Sequence, residues 1–224
     1  WGDLGCDIVL ECTGKFLKPA EFEAYFARGV KRVIVAAPVK DEAALNVVVG
    51  VNDQLYDPAR HRLLTAASCT TNCLAPVAFV LHGAVGITRG FMTTIHSYTG
   101  DQPVLDTMHR DLYRARAAAL SIIPTSTGAA TAVEQVLPEL AGRLDGVAIR
   151  VPTPNVSAVD FVFEAARQTS VDEINAAIRE AAETMREAGF ERVEYIELRD
   201  AETLMPSDDP RRPRRMLAAA WVDG

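Results

Sequence analysis

The segment HRLLTAASCTTNCLAP, residues 61–76, joins two parts of the chain that differ in pattern. Up to residue 67, short apolar runs alternate with a segment of helical spacing, PAEFEAYFARGV (19–30). The runs are CDIVLE (6–11), KRVIVAAPV (31–39), LNVVVGVN (45–52) and HRLLTAA (61–67), the last of which opens the quoted segment. This alternation is typical of a parallel α/β sheet. We therefore predict one domain over residues 1–67 and a second over 68–224.

The second part begins with a helix-like segment, which precedes the alternating strand GFMTTIHSYT (90–99). A long polar connection follows at 98–124, and a connection of that length is usually functional or interfacial. Two further strands are predicted in GVAIRVPT and SAVDFVFEAAR. Ser170 and Glu173 form a capping box that opens an amphipathic helix ending near Gly189.

Composition and charge narrow the class of protein. The net charge of −7 argues against binding to nucleic-acid backbones, and the cluster RRPRR (211–215) is expected to be a solvated loop. No apolar run is long enough to predict a membrane helix, and the first residues lack the pattern of a secretory signal. Four cysteines without a dense framework suit the reducing cytosol, so a cytoplasmic location is expected.

Cys69 and Cys73 allow several interpretations. On a helix, residues four apart have Cβ atoms about 5–6 Å apart, whereas a disulfide needs about 3.8 Å. A structural zinc site needs about four ligands, and no second cysteine pair is present, so no metal is predicted. A nucleophile at Cys69, at a strand-to-helix junction, with His96 as its base is one remaining interpretation. A buried thiol and a hydrogen-bonded histidine without catalytic roles is the other.

Longer motifs bear on this choice. ASCTTNCLAP (67–76) resembles the active-site signature of phosphorylating glyceraldehyde-3-phosphate dehydrogenases. The similarity continues through MTTIHSYTGDQ (92–102), DLYRARAAALSIIPTSTGAA (111–130) and RVPTPNVSAVD (150–160), and it extends from about residue 5 to 187. It implies a partial Rossmann-type parallel sheet, followed by an α+β catalytic domain with a mixed or antiparallel sheet and helices. Beyond about residue 187 the chain diverges from the family pattern.

The resemblance implies a reaction. Cys69 as thiolate would attack the aldehyde of glyceraldehyde 3-phosphate, while His96 would act as the base. Hydride transfer to NAD would give a thioester, and inorganic phosphate would convert it to 1,3-bisphosphoglycerate, a step of glycolysis. Cys73 would only pack on the helix. An erythrose-4-phosphate dehydrogenase is an alternative, as is a catalytically incompetent remnant that does not bind NAD.

The resemblance also implies the residues that hold two phosphates. The substrate phosphate would be bound by Thr99, Asp101 and Arg150. Inorganic phosphate would be bound by Ser68, Thr70, Thr127 and Gly128, and Arg116 would lie near the phosphates. Arg114 is expected to serve the folded loop or a subunit contact, because in the family this loop packs within a homotetramer.

For the cofactor, the resemblance leaves only a residual site at Thr13 and Gly14. The family binds NAD through a glycine-rich turn after its first strand, and no G-x-G-x-x-G motif occurs in this sequence. We therefore expect that the chain is truncated at its N-terminus relative to the family, and truncated or divergent at its C-terminus.

Overall fold

The computed structural model describes residues 1–187, 192–200 and 214–221. The chain forms two compact units. The first contains Trp1–Pro76 and Thr131–Ala141, and the second contains Val77–Ala130 and Gly142–Gly224. The domain boundary at residue 67 stays a prediction.

The first unit is built on a parallel sheet. Its strands are β1 (Ile8–Glu11), β2 (Arg32–Val35), β3 (Ala44–Asn46) and β4 (Leu63–Thr65), in the order β1-β2-β4-β3. One helix, α1 (Pro19–Phe26), follows β1. Pro19 favours its start because the fixed φ of proline suits the first helical turn. Phe22 of α1 and Val33 and Val35 of β2 are fully buried in the core of this unit.

The predicted strand at 45–52 is shorter than the sequence indicates. The reason is local hydrogen bonding by Asn52, whose side-chain oxygen accepts the Val48 main-chain N–H at 2.8 Å. Its amide also donates to the Asn46 carbonyl at 2.8 Å, which closes a turn directly after β3. Gly50 adopts a φ of +80° in this turn, a conformation that favours glycine. The apolar run therefore covers a strand end and a turn.

Two helices carry residues of both units, α2 (Cys69–Val85) and α3 (Ala129–Val136). The second unit contains a mixed sheet of β5 (Ile87–Ser97), β6 (Ile123–Ser126), β7 (Leu144–Val151) and β8 (Ala158–Ala165), in the order β6-β7-β5-β8. β5 and β7 are parallel, and the two outer pairs are antiparallel. The predicted parallel sheet followed by a mixed sheet is confirmed.

The amphipathic helix of the second unit is α4 (Val171–Glu187). The Glu173 N–H donates to Ser170 Oγ at 3.2 Å, so the predicted cap is present on that side. The Glu173 carboxylate accepts hydrogen bonds from Arg167 and from the Thr169 hydroxyl, and these contacts lower its pKa to about 2. The predicted helix end at Gly189 lies outside the described residues.

An antiparallel pair follows, made of β9 (Arg192–Asp200) and β10 (Arg214–Trp221). The prediction of a loop at 211–215 is therefore wrong for Arg214 and Arg215. Both residues begin β10 and pair with β9. Residues 211–213 lie outside the described part of the chain. Among the helices described, none is long and apolar enough to cross a membrane.

The register of the mixed sheet places His96 of β5 directly beside Arg150 of β7. Close strand contact is secured by Gly146, because a Cβ at this position would lie 2.6 Å from the Met92 carbonyl oxygen of β5. A real side chain does not approach a main-chain oxygen this closely, so the two strands need glycine here. The sheet thus fixes the spacing of the His96–Arg150 pair.

Candidate active site

The cysteine segment lies in the first unit, where β4 leads into α2. Cys69 is exposed and is the first residue of the helix. Ala67, two residues earlier, is buried with a φ of +55°, an unusual value for a residue with a side chain. Its N–H donates to Thr65 Oγ1 at 3.1 Å, and the Thr65 hydroxyl donates to the Ala37 carbonyl. These bonds hold the bend that places Cys69 at the helix start.

Ser68 and Asn72 complete the junction. Ser68 Oγ accepts the Thr71 N–H at 3.1 Å, so Ser68 is the N-cap of α2. The Asn72 amide donates to the carbonyl oxygens of Ala66, at 2.7 Å, and of Ser68, at 3.0 Å. Thr70, the second predicted phosphate ligand here, is buried, with its hydroxyl 4.0 Å from the Cys69 sulfur. The first N–H groups of a helix favour a thiolate or another anion beside them.

Cys73 is an exposed residue, and the expectation that it packs on the helix stays a prediction. Its sulfur is nevertheless shielded from water by surrounding protein atoms, since a residue can expose surface while its polar atom is crowded. This desolvation, together with the neighbouring Cys69, raises the pKa of the Cys73 thiol. Cys73 therefore holds less thiolate at neutral pH than an ordinary cysteine. Among the described residues, no group of three or more His, Cys, Asp and Glu side chains could hold a metal ion.

In the second unit, His96 is buried and contacts Arg150. His96 Nδ1 lies 2.7 Å from the Ser97 carbonyl oxygen, and Arg150 Nη1 lies 2.9 Å from both of these atoms. Burial lowers the pKa of His96, the bond to the Ser97 carbonyl opposes this, and the charges of Arg150 and Arg114 lower it further. His96 is therefore mainly neutral near neutral pH, which a general base requires.

Asp101 and Arg114 form the centre of a polar cluster in the same unit. Arg114 forms an ion pair with Asp101, and its Nε donates to Thr125 Oγ1 at 3.2 Å. The Thr125 hydroxyl donates to Asp111 Oδ2 at 2.7 Å. Burial raises the pKa of Asp101, but the bonds and charge of Arg114 outweigh it and the net direction is down. Asp101 is thus held as a carboxylate against a fixed guanidinium.

Arg116 does not join this cluster. Its Nε lies 3.1 Å from Asp106 Oδ2, and its side chain is 65% exposed. The sequence assigned the phosphate role to Arg116 and the structural role to Arg114, whereas the structure brings Arg114 to Asp101. The two arginines are two residues apart in RARAAA, and only the path of the loop distinguishes them.

Thr99 lines an open cavity of about 290 Å³ in the second unit. The cavity has mainly apolar walls, formed in part by Val104 and Ala118. Gln102 also lines it and is 7% exposed, and within the described part of the chain neither polar atom of its amide has a hydrogen-bonding partner. A buried amide without partners is costly, so the cavity suits a ligand that offers both a donor and an acceptor. The sequence did not indicate Gln102.

Thr127 and Gly128 immediately precede α3. The Ala129 N–H donates to Thr127 Oγ1 at 3.2 Å, so the threonine hydroxyl serves the start of this helix. Gly128 is exposed. The predicted phosphate ligands therefore occupy the starts of α2 and α3, the polar loop of the second unit and, at Arg150, strand β7.

The residual cofactor position follows β1. The Thr13 N–H and hydroxyl both donate to the Glu11 carboxylate, and the Tyr25 hydroxyl donates to the same group at 3.0 Å. Gly14 turns the chain with a φ of +69°. At the start of α1, the Glu21 carboxylate accepts the N–H groups of Leu17 and Lys18, each at 2.8 Å. The Glu21 carboxylate thus caps the N-terminus of α1, and neither this helix nor Gly14 belongs to a G-x-G-x-x-G turn, the element that binds a dinucleotide pyrophosphate. These residues alone do not fit a complete dinucleotide.

Comparison with known proteins gives a consistent match. Residues 68–208 match the family model described as "Glyceraldehyde 3-phosphate dehydrogenase, C-terminal domain". The chain is 54% identical over 211 residues to "Glyceraldehyde-3-phosphate dehydrogenase 3" of Nostoc sp.. The aligned residues cover 94% of this chain and 61% of that protein.

Two other relatives are similar over a shorter range. The "Glyceraldehyde-3-phosphate dehydrogenase" of Cereibacter sphaeroides is 65% identical over 80% of this chain and 53% of its own length. That of Geobacillus stearothermophilus is 57% identical over 82% of this chain and 54% of its own length. The chain therefore spans 53% to 61% of the length of these relatives.

Proposed function

The chain belongs to the glyceraldehyde-3-phosphate dehydrogenase family, and we propose that it carries out the phosphorylating oxidation of glyceraldehyde 3-phosphate through a thioester on Cys69. The observation that supports this role of Cys69 is the junction of β4 and α2, where Cys69 is exposed and is the first residue of a capped helix. The helix N-terminus supports the thiolate and an oxyanion formed on the bound aldehyde.

His96 is proposed as the base that takes the proton. Two neutral tautomers agree with its contacts, because Nδ1 can donate to the Ser97 carbonyl or accept from Arg150. The proposed role requires the first, which leaves a lone pair on Nε2. Arg150 then donates to the same carbonyl oxygen, which can accept two hydrogen bonds. The lowered pKa of His96 supports a neutral ring at the start of the reaction.

Arg150, Thr99 and Arg114 are proposed to bind the substrate phosphate, with Asp101 orienting Arg114. A guanidinium fork matches two phosphate oxygens, and the strand pairing of β7 with β5 limits its movement. Within the described part of the chain, the Gln102 amide beside Thr99 has no partner, so this cavity suits a group that offers both a donor and an acceptor, such as a substrate hydroxyl. Inorganic phosphate is proposed to bind at the helix starts formed by Ser68, Thr70, Thr127 and Gly128, where main-chain N–H groups favour anions.

NAD is the cofactor proposed for the oxidation, which needs a hydride acceptor. Thr13 and Gly14 would contribute only part of its site, since the sequence has no G-x-G-x-x-G turn to hold the pyrophosphate. The roles of Cys69, His96 and the phosphate ligands require only that an acceptor is brought to the thiol adduct.

A homotetramer in the cytoplasm stays a prediction. Its structural support is the loop between β5 and β6, which exposes large apolar side chains such as Val104, Met108 and Leu120, each at least 80% exposed. Side chains of this kind, when they cluster, mark contact surfaces.

A test of the proposal uses the thiol itself. Glyceraldehyde 3-phosphate should protect Cys69 from alkylation by iodoacetate, because the aldehyde adduct removes the thiolate. Glycerol 3-phosphate, which carries the phosphate but no aldehyde, is the matched control and should protect much less. Equal protection by both compounds, or by neither, would reject the thiol adduct. NADH formation, followed by absorbance with NAD and phosphate added, then tests separately whether the chain completes the oxidation.

A further inference from the structure

The surroundings of Arg114 contain a second layer of polar groups that the proposed mechanism does not yet use. Thr125 Oγ1 accepts a hydrogen bond from the Arg114 Nε–H, and the Thr125 hydroxyl donates one to Asp111 Oδ2. Asp111 Oδ2 also lies 3.6 Å from Arg114 Nε. A carboxylate, a hydroxyl and a guanidinium thus form a continuous hydrogen-bonded chain from the loop to strand β6. In such a chain, the charge of the first group strengthens each later bond.

These contacts leave part of the guanidinium available. Arg114 donates to Thr125, to Asp101 and, at 3.3 Å, to the Ser126 carbonyl. Of the five N–H donors of an arginine, these contacts use three, so among the described residues two donors are left for an anion. The Arg114 side chain is held on both sides, by Asp101 and by the Asp111–Thr125 pair, and the direction of the remaining donors is set by these contacts.

Asp111 is itself anchored. Its Oδ1 accepts the Tyr113 N–H at 3.0 Å, and its main-chain N and O each lie 3.0 Å from His109 Nδ1. His109 Nε2 lies 3.6 Å from Asp101 Oδ1, so the loop connects the two carboxylates that flank Arg114. Thr125 is buried in the mixed sheet, which gives this arrangement a rigid base.

We propose that Asp111 and Thr125 are positioning residues that hold the Arg114 guanidinium in the orientation in which it binds the substrate phosphate. The inference rests on the proposed function, since it assumes a phosphate ligand at Arg114. Neither residue touches the ligand. They act through Arg114, so their loss should weaken phosphate binding with little change in the reactivity of Cys69.

The test measures the orientation of Arg114 and its binding of phosphate separately. Asp111→Asn keeps an acceptor oxygen but removes the charge, and Thr125→Val keeps the shape but removes the hydroxyl. The matched control is Asp106→Asn, because Asp106 also pairs with an arginine of this loop and also accepts a main-chain N–H, that of Ala117. In the whole chain, the Arg114 Nε–H resonance is identified by its loss in Arg114→Lys, and its hydrogen exchange is measured by NMR.

We expect slow exchange of the Arg114 Nε–H in the wild type and in Asp106→Asn, and exchange at least about tenfold faster in the other two variants, a loss of about 1.4 kcal/mol of protection. The affinity for glycerol 3-phosphate, measured by calorimetry, should fall about fivefold or more in the same two variants. Unchanged exchange would overturn the positioning role. Faster exchange with unchanged affinity would overturn the link to phosphate. An equal loss in Asp106→Asn would show that the effect is not specific to Arg114.

The outcomes also distinguish this inference from the proposed function. If Cys69 alkylation by iodoacetate is not slowed by glyceraldehyde 3-phosphate in the wild type, the proposed function fails, whatever the exchange data show. If the substrate protects Cys69 but the exchange and affinity of the variants match the wild type, only the positioning role fails.

Discussion

Replacing Arg150 by lysine should weaken the binding of the substrate phosphate while the strand stays paired. Arg150 Nη1 lies 2.9 Å from the Ser97 carbonyl oxygen and 2.9 Å from His96 Nδ1, so the side chain is fixed at its end. Lysine keeps the charge but has no planar fork. A hydrogen bond to a charged group contributes about 1.5–3 kcal/mol, so the loss of one such bond to the phosphate predicts about 10- to 150-fold weaker binding.

The measurement is calorimetric titration of the chain with glycerol 3-phosphate at low ionic strength, where electrostatic differences are largest. Arg89→Lys is the matched control, because Arg89 also lies on the mixed sheet but forms an exposed ion pair with Glu164. The control should bind with nearly wild-type affinity. A change below about threefold in Arg150→Lys, which corresponds to less than 1 kcal/mol, would refute the placement of the phosphate at this guanidinium.

Further predictions concern the pKa of His96 and the stability of the two units. Arg150→Gln should raise the pKa of His96, followed by NMR titration of its ring, because the arginine charge lowers it; a lower pKa would contradict this. Since the folded pKa lies below the ordinary value of about 6.5, the unfolded chain binds more protons, and the His96 contribution to stability should be lost as pH falls through the window between these two values. Gly146→Ala should destabilise the chain by about 1–3 kcal/mol in urea unfolding, because its Cβ would lie 2.6 Å from a main-chain oxygen, whereas Gly100→Ala meets open space and should be nearly neutral. Ser68→Ala should cost about 1 kcal/mol through loss of the N-cap of α2, and an unchanged unfolding midpoint would show that this cap contributes nothing.

Much of the fold follows from periodicity. The alternation of apolar runs with one amphipathic segment predicts the parallel sheet, and Ser170 predicts the start of α4. The errors arise where side chains divert the backbone. Asn52 turns an apolar run into a strand end and a turn, and Arg214 begins a strand because β9 supplies its partner. Neither effect can be read from hydrophobicity alone.

The residues of the candidate site also differ in how well the sequence predicts them. Cys69 and its helix start can be predicted, because a strand-to-helix junction is a local feature. The sequence does not predict which of Arg114 and Arg116 contacts Asp101. Both occur in RARAAA, and the path of the loop decides which one reaches Asp101. Gln102 was also missed, because its burial depends on the fold of the same loop. Interactions between distant segments leave no periodic signal in the sequence.

The central claim is that Cys69 is the nucleophile and that His96 assists it. The most direct measurement is the rate of iodoacetate alkylation at each cysteine, resolved by peptide mass spectrometry across a range of pH. Cys69 should react at least about tenfold faster than Cys73, whose raised pKa keeps it as a thiol, and His96→Asn should slow the reaction of Cys69 while the rate at Cys73 stays unchanged. Equal rates at Cys69 and Cys73 in the wild type, or a Cys69 rate that does not change in His96→Asn, would contradict the account.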